Sequence, residues 1–148
     1  MSQLHQVDPG KMIFSVGTLG VPVTGYAKGT FLEFSRDVDA FVKSVGSDGE
    51  VTRVRNRNRA GSVKVTLQQG SQTNAAFSAL AILDEQSGLG VVPCTFMDMS
   101  GLPGQETVAA STTGWIRKMP DTTMSGEGEE HRVWIFDLAV MPMFVGGN

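Results

Sequence analysis

Apolar and polar residues alternate over much of this chain, and that alternation predicts strands. The clearest case runs from Ser62 to Gln69: Val63, Val65 and Leu67 face one way, and Ser62, Lys64, Thr66 and Gln68 the other. His131 to Val140 is a second strong strand, with Val133, Ile135 and Asp137 on one face and Trp134, Phe136 and Leu138 on the other. Met12 to Thr18 reads as a first strand, and Val21 to Gly25 as its extended or bulged continuation. Pro22 cannot donate a ladder hydrogen bond, which places it at an edge or a break. Lys28 to Ser35 is a further strand, with Phe31 on one face and Leu32 and Phe34 on the other. Leu89 to Met97 is a strand broken by Pro93, and Thr107 to Lys118 a strand weakened by its small residues.

One hairpin is predicted, between Glu50–Arg59 and Ser62–Gln69 around Ala60-Gly61. Before it, Arg36 to Gly49 reads as a long connection that carries Phe41, Val42 and Val45 and ends on the turn pair Asp48-Gly49. Long connections in compact domains commonly reach a partner. The periodicity changes to that of a helix from Ser71 to Gln86, with Ala76, Phe77, Leu80 and Leu83 as its apolar stripe and Gln72, Asn74, Ser78 and Glu85 on the polar side. Ser71 or Thr73 can cap this helix and Gly88 can end it. Asp98–Gly104 and Met119–Glu129 are turn and loop regions, and Met141–Asn148 a short extended tail. The pattern as a whole is that of one mainly β domain over residues 1–148, with a lone helix against one face or end of a sheet or barrel.

Composition narrows the function. With 41% hydrophobic residues the chain can bury a core without disulfides or metal. The formal net charge of −3 gives no case for whole-molecule attraction to nucleic acid. Only 18% of residues are charged, which leaves neutral surface for packing against neighbours. Cys94 stands alone, which fits synthesis in the cytosol. Met1–Pro9 lacks the apolar core of a signal peptide, and the apolar run Ala75–Leu83 is too short to span a membrane.

No catalytic, metal-binding or phosphate-binding pattern stands out in the sequence. Cys94 sits in an apolar strand, and the two histidines, His5 and His131, are far apart in sequence with no nucleophile motif around them. Asp37-Val38-Asp39 has neither the following ligands nor the glycine of a calcium loop. Asp98 and Asp137 are the kind of strand and turn aspartates that many β domains carry. The glycines around Val16–Gly20 and Gly88–Gly90 do not open helices, as phosphate loops do. The expectation is a non-enzyme without cofactor or metal, in which Trp115 and Trp134 belong to the core.

The most unusual local feature is the run Arg53, Arg55, Arg57 and Arg59, which share one face if the strand is regular. Three readings stand: a phosphate-contacting ribbon, a solvated face, and a charged seam against another subunit. Asp37, Asp39, Glu127, Glu129 and Glu130 are the acidic candidates for that seam. The slight negative charge and the lack of interleaved aromatics rank the seam above nucleic-acid binding.

The order of several motifs carries a resemblance. Asp48-Gly49-Glu50 opens an arm. The alternating strand Val63–Gln69 follows, then the helix with Asn74, Asp84 and a Gly-x-Gly turn, the Pro93 strand, and Asp98-Met99-Ser100-Gly101. Trp115-Ile116-Arg117-Lys118-Met119-Pro120 and Arg132-Val133-Trp134 complete the series. Over about residues 12–140 this resembles the tail-tube proteins of contractile-tailed bacteriophages, related in plan to type VI secretion tubes. The resemblance implies two packed antiparallel sheets forming a barrel-like sandwich with one flanking helix. It also implies hexameric rings stacked into the inner tube of a contractile tail, the conduit for genome delivery. The partners would be further copies, a surrounding sheath, a tape-measure protein and passing DNA in the lumen, and a baseplate and terminator at the ends. The site would be the virion. Other readings are a tube subunit of a type VI or extracellular injection system, a single-ring terminator or hub, and a monomeric β-sandwich binding module. A conduit for DNA must not hold DNA, so the arginines are expected to face away from the lumen or to meet a neighbour's carboxylates.

Overall fold

The computed structural model describes residues 12–17, 21–98 and 107–145. The elements are β1 (Met12–Val16), β2 (Val21–Pro22), β3 (Leu32–Arg36), β4 (Phe41–Val45), β5 (Val51–Arg55), β6 (Gly61–Leu67), α1 (Thr73–Ser87), β7 (Val92–Asp98), β8 (Thr107–Lys118), β9 (Arg132–Leu138) and β10 (Met143–Phe144). One antiparallel sheet has the order β2-β1-β7-β8-β9-β6-β3, with β10 added on β8; β4 and β5 form a separate two-stranded sheet.

The large sheet curls into a half-barrel. The stretch after β2 bonds to both β1 and β6. The Val23 N–H donates to the Phe14 carbonyl on β1 at 2.8 Å, and the Ala27 N–H donates to the Thr66 carbonyl on β6 at 3.1 Å. Tyr26 forms a bridge with Leu67 between those points. Across the interior, the Phe14 ring on β1 meets the Phe34 ring on β3 edge-on, 6.5 Å between centroids.

The alternating strands fill the inside as their pattern requires. Val63, Val65 and Leu67 from β6 and Trp134, Phe136 and Leu138 from β9 are buried, together with Phe14, Cys94, Phe96 and Ile116. Register pairs Val63 with Phe136 and Val65 with Trp134, so the two inward faces coincide. Burial pushes the Cys94 thiol up to about 12, which makes it a packing group and a poor nucleophile. Pro93 falls where the β7–β8 register shifts, between Val92 and Cys94. A side chain at Gly114 would meet Cys94 Sγ and Leu138 Cδ2, each 2.8 Å from an added Cβ. Gly114→Val is therefore expected to lower stability by about 1–3 kcal/mol through overpacking, read as a fall in thermal midpoint; an unchanged midpoint would contradict the packing described.

The helix α1 closes the interior by packing Phe77 edge-on to Trp134, 5.4 Å between centroids, and to Phe136 at 5.0 Å. Its polar residue Asn74 does more than face solvent. Asn74 Oδ1 accepts the Trp134 indole N–H at 2.9 Å, while its amide donates to the Gln68 carbonyl at 2.9 Å. Gly88 ends the helix in the left-handed region at φ 70°, its N–H donating to the Asp84 carbonyl.

The mainly β, barrel-like architecture with one flanking helix is as expected; its strands come as one curled sheet and one small one. Several details differ. The arm Glu50–Arg59 does not pair with Ser62–Gln69. Instead β5 pairs with β4, and β6 with β3 and β9. The segment Arg36–Gly49 thus contains a strand and is not simply a connection. The strand expected from Lys28 begins at Leu32. On α1, Leu83 and Ala76 are exposed, and Ala81 takes their place beside Phe77 in the core. Neither Ser71 nor Thr73 is the N-cap; Gln72 is, without a side-chain bond. Both hydroxyls are drawn to the Thr24 carbonyl, tying the helix start to the strand segment beside it. Asp98 is the last residue of β7, and 99–104 lie outside the described residues, as do His5 and residues 18–20. Trp134 is core, whereas Trp115 is only half-buried. Asp137 is held by Arg117, whose Nε donates at 3.0 and 3.1 Å to its two oxygens. This hydrogen bond and the Asp137 charge raise the Arg117 pKa further.

Candidate assembly surface

The hairpin β4–β5 is built by its turn. Gly49 adopts φ 88°, which favours glycine, and Asp48 Oδ1 accepts the Glu50 N–H at 3.1 Å. The Gly46 N–H closes the loop on the Glu50 carbonyl at 2.8 Å. Register then pairs Phe41 with Arg55, Val42 with Val54, Lys43 with Arg53, Ser44 with Thr52 and Val45 with Val51. Alternation divides these into two faces. One carries Val42, Ser44, Thr52 and Val54 and is uncharged. The other carries Phe41, Lys43, Val45, Val51, Arg53 and Arg55.

Every residue of both strands is exposed. Val45 is 57% and Val51 60% accessible, and Phe41, Val42 and Val54 are also exposed. A two-stranded hairpin in water is at best marginally stable by itself, and each of its outer edges lacks a strand partner among the described residues. An apolar arm with open edges standing outside a filled barrel marks an interaction surface.

At the root of the arm the arginines gather. The strand ends at Arg55, and the next residues turn instead of continuing the ladder: the Asn58 N–H donates to Asn56 Oδ1 and the Ala60 N–H to Asn58 Oδ1, both at 3.0 Å. The expected single strand face of four arginines is therefore replaced by a bent run. Arg53, Arg55 and Arg59 line an open cavity of about 480 Å³ with Arg36, Phe41 and Asn58, and Arg55, Arg57 and Arg59 line an adjoining one of about 280 Å³. The Arg53 guanidinium lies 4.2 Å from the centre of the Phe41 ring. Arg36 Nη2 donates to the Met141 carbonyl, and the Met141 N–H to the Arg59 carbonyl, both at 2.9 Å, which fixes the root to the barrel.

The acidic candidates lie elsewhere. Among the described residues the ion pairs are Arg117–Asp137 and Lys118–Asp121, so none of Arg53, Arg55, Arg57 and Arg59 pairs with a carboxylate of those residues. Asp37 and Asp39 are exposed between β3 and β4, and the Asp37 charge reaches Arg117. Glu127, Glu129 and Glu130 lie on the exposed loop before β9, where Glu129 Oε1 accepts the Gly70 N–H at 3.2 Å. The described residues contain no cluster of His, Cys, Asp and Glu able to hold a metal ion. None of their helices is long and apolar enough to cross a membrane.

Residues 8–146 match the model of the bacteriophage PhiTE tail tube protein family. The chain belongs to this family. It is a tail-tube structural subunit. The chain is 27% identical over 128 residues to structural protein ORF10 of Pseudomonas phage KPP10, a match covering 85% of this chain and 71% of that protein. Its fold is similar to a chain in the extended sheath-tube complex of an extracellular contractile injection system, PVC, with a TM-score of 0.59, 9% identity and coverage of 95% and 93% of the two chains. It is also similar to the tube-terminating cap of the anti-feeding prophage, at TM-score 0.58, 8% identity and coverage of 99% and 95%. At these identities the likeness is one of fold. Tail-tube membership gives the exposed arm a context that sequence patterning did not. Sequence pattern places Phe41, Val42 and Val45 in a connection; the paired valines and the Asp48-Gly49 turn between equal arms are the signal for a hairpin.

Proposed function

We propose that this tail-tube subunit assembles into hexameric rings that stack as the inner tube of a contractile tail, a virion part without catalytic activity. The observation that carries the reading is the β4–β5 arm, whose apolar side chains and strand edges stand outside the barrel in a chain of this family. Main-chain pairing with a neighbour's strand edge gives affinity with little demand on particular side chains. Contacts of this heterologous kind close into a ring when the rotation permits, and stacking then extends the assembly. The sheath around the tube, the tape-measure protein and DNA within it, and terminator and baseplate at its ends are the partners of such an assembly.

In the same reading the arginine root is half of a charged seam. Arg53, Arg55, Arg57 and Arg59 on one copy meet Asp37, Asp39, Glu127, Glu129 and Glu130 on another, and so are kept from gripping DNA. Negative-stain microscopy of the purified protein is expected to show hollow tubes; single rings would favour a terminator, and a persistent monomer a binding module. Replacing all four arginines with glutamine is expected to weaken assembly about tenfold or more, since exposed ion pairs contribute about 0.2–1 kcal/mol each. Sedimentation at matched protein concentration reads this, and tubes of unchanged yield in the variant would remove the seam.

A further inference from the structure

Arg132 opens β9 on the inward-facing side of the strand, in line with Trp134 and Phe136. It is only 6% exposed. Its Nη1 is buried without any hydrogen-bond partner, and its Nη2 reaches no better acceptor than the Met124 sulfur at 3.6 Å. Guanidinium groups stay charged, and a buried charge without a counterion is strongly disfavoured. Both of the described ion pairs lie elsewhere. Glu129, close in sequence, turns its carboxylate to the Gly70 N–H instead.

Arg132 is not sealed in. It lines a cavity of about 330 Å³ with Asn74, Ser78, Met119, Met124 and Trp134. Met119 and Met124 at the rim are exposed, and flexible methionines adapt to what enters between them. Asn74 and Ser78 bring the first turns of α1 to the same cavity, and a helix start favours negative charge. This start has no acidic residue in its first turn, and its N-cap Gln72 makes no side-chain bond, although the Thr73 N–H donates to Ser71 Oγ at 3.3 Å. A lone buried cation, a helix start and an apolar rim together make a receptor for one carboxylate.

We propose that this cavity binds a side-chain carboxylate of a second copy of the chain, which pairs with Arg132 on assembly. The turn of the β4–β5 arm offers suitable groups, the exposed Asp48 and Glu50. The inference rests on the tube reading for its source of carboxylate, but not for the pocket itself.

The two are tested apart. On the subunit under non-assembling conditions, sodium acetate should raise the thermal midpoint by a few degrees over sodium chloride of equal ionic strength. Arg132→Met should abolish that shift while keeping the wild-type circular dichroism. In assembly, Arg132→Met and the double variant Asp48→Asn with Glu50→Gln should each cut sedimentable material at least tenfold. If Arg132→Met fails to fold, Arg132→Gln serves both arms. An acetate effect identical in wild type and variant, with normal assembly, overturns the pocket. An Arg132-dependent acetate effect with normal assembly of both variants overturns the second copy as its source and leaves a site for solute carboxylates. Wild-type protein that never forms tubes counts against the tube reading alone, because the acetate arm is read on the free subunit.

Discussion

Trp134→Ala is expected to destabilise the subunit by about 3–5 kcal/mol, the range for removing a large aromatic from a packed core. Whole domains of this size are commonly stable by only about 5–15 kcal/mol, so the loss is a large part of the total. Two effects combine. The ring is nearly fully buried and packs edge-on to Phe77, so its removal opens a cavity where α1 meets β9. Its N–H is also the partner of Asn74, whose amide in turn holds the carbonyls of Gln68 and Gln69 at the end of β6. Trp134→Phe separates the two effects by keeping most of the packing while leaving Asn74 Oδ1 without its donor. Asn74→Ala leaves the buried indole N–H unpaired and is expected to cost about 1–3 kcal/mol. Urea titration monitored by circular dichroism measures all three. A Trp134→Ala midpoint equal to the wild type would mean that α1 is not anchored through this ring.

This junction shows where the sequence was legible and where it was not. The strict alternation in Ser62–Gln69 and Arg132–Leu138 identified the inward residues of β6 and β9, because a strand buried on one face leaves a two-residue period. The Phe77 position was equally clear. Helical periodicity sorts residues by polarity, so it puts Asn74 on the polar side and cannot show that one amide bridges three elements. Pairing was harder still. Adjacency in sequence joins the arm Glu50–Arg59 to Ser62–Gln69, but the better partner of Val51–Arg55 lies across the Asp48-Gly49 turn. Arg36 to Gly49 holds three aspartates, which gave it the composition of a loop. Its strand character comes from the cross-strand Val42–Val54 and Val45–Val51 pairs, and such pairs exist only once a register is fixed. The convergence of Arg36 on Arg53, Arg55 and Arg59 is hidden for the same reason, and that Arg132 meets no carboxylate among the described residues depends on the folded arrangement alone.

Val42→Glu combined with Val54→Glu is expected to abolish tube formation while leaving the subunit folded. The two valines form a cross-strand pair on the uncharged face of the arm, and each is more than half exposed in the free subunit. Their substitution therefore removes little from the barrel core, and the thermal midpoint should fall by no more than a few degrees. The assembled state is different. Fully burying an exposed valine contributes about 1.5–3 kcal/mol, so covering the exposed half of two gives about 1–3 kcal/mol per contact. Two glutamates would forfeit that and add the cost of desolvating unpaired charge, as well as mutual repulsion directly across the hairpin. A loss of about 3 kcal/mol or more corresponds to roughly a hundredfold weaker contact, and every subunit in a tube repeats it. Sedimentation and negative-stain microscopy of the variant against wild type, at equal concentration and salt, measure the effect. Abundant tubes from a folded double variant would show that the arm's neutral face is not buried between copies, and would shift the contact to its edges or its cationic face. The companion variant Lys43→Gln changes only that cationic face, beside Arg53 in register, and should leave assembly close to wild type if Val42 and Val54 carry the contact.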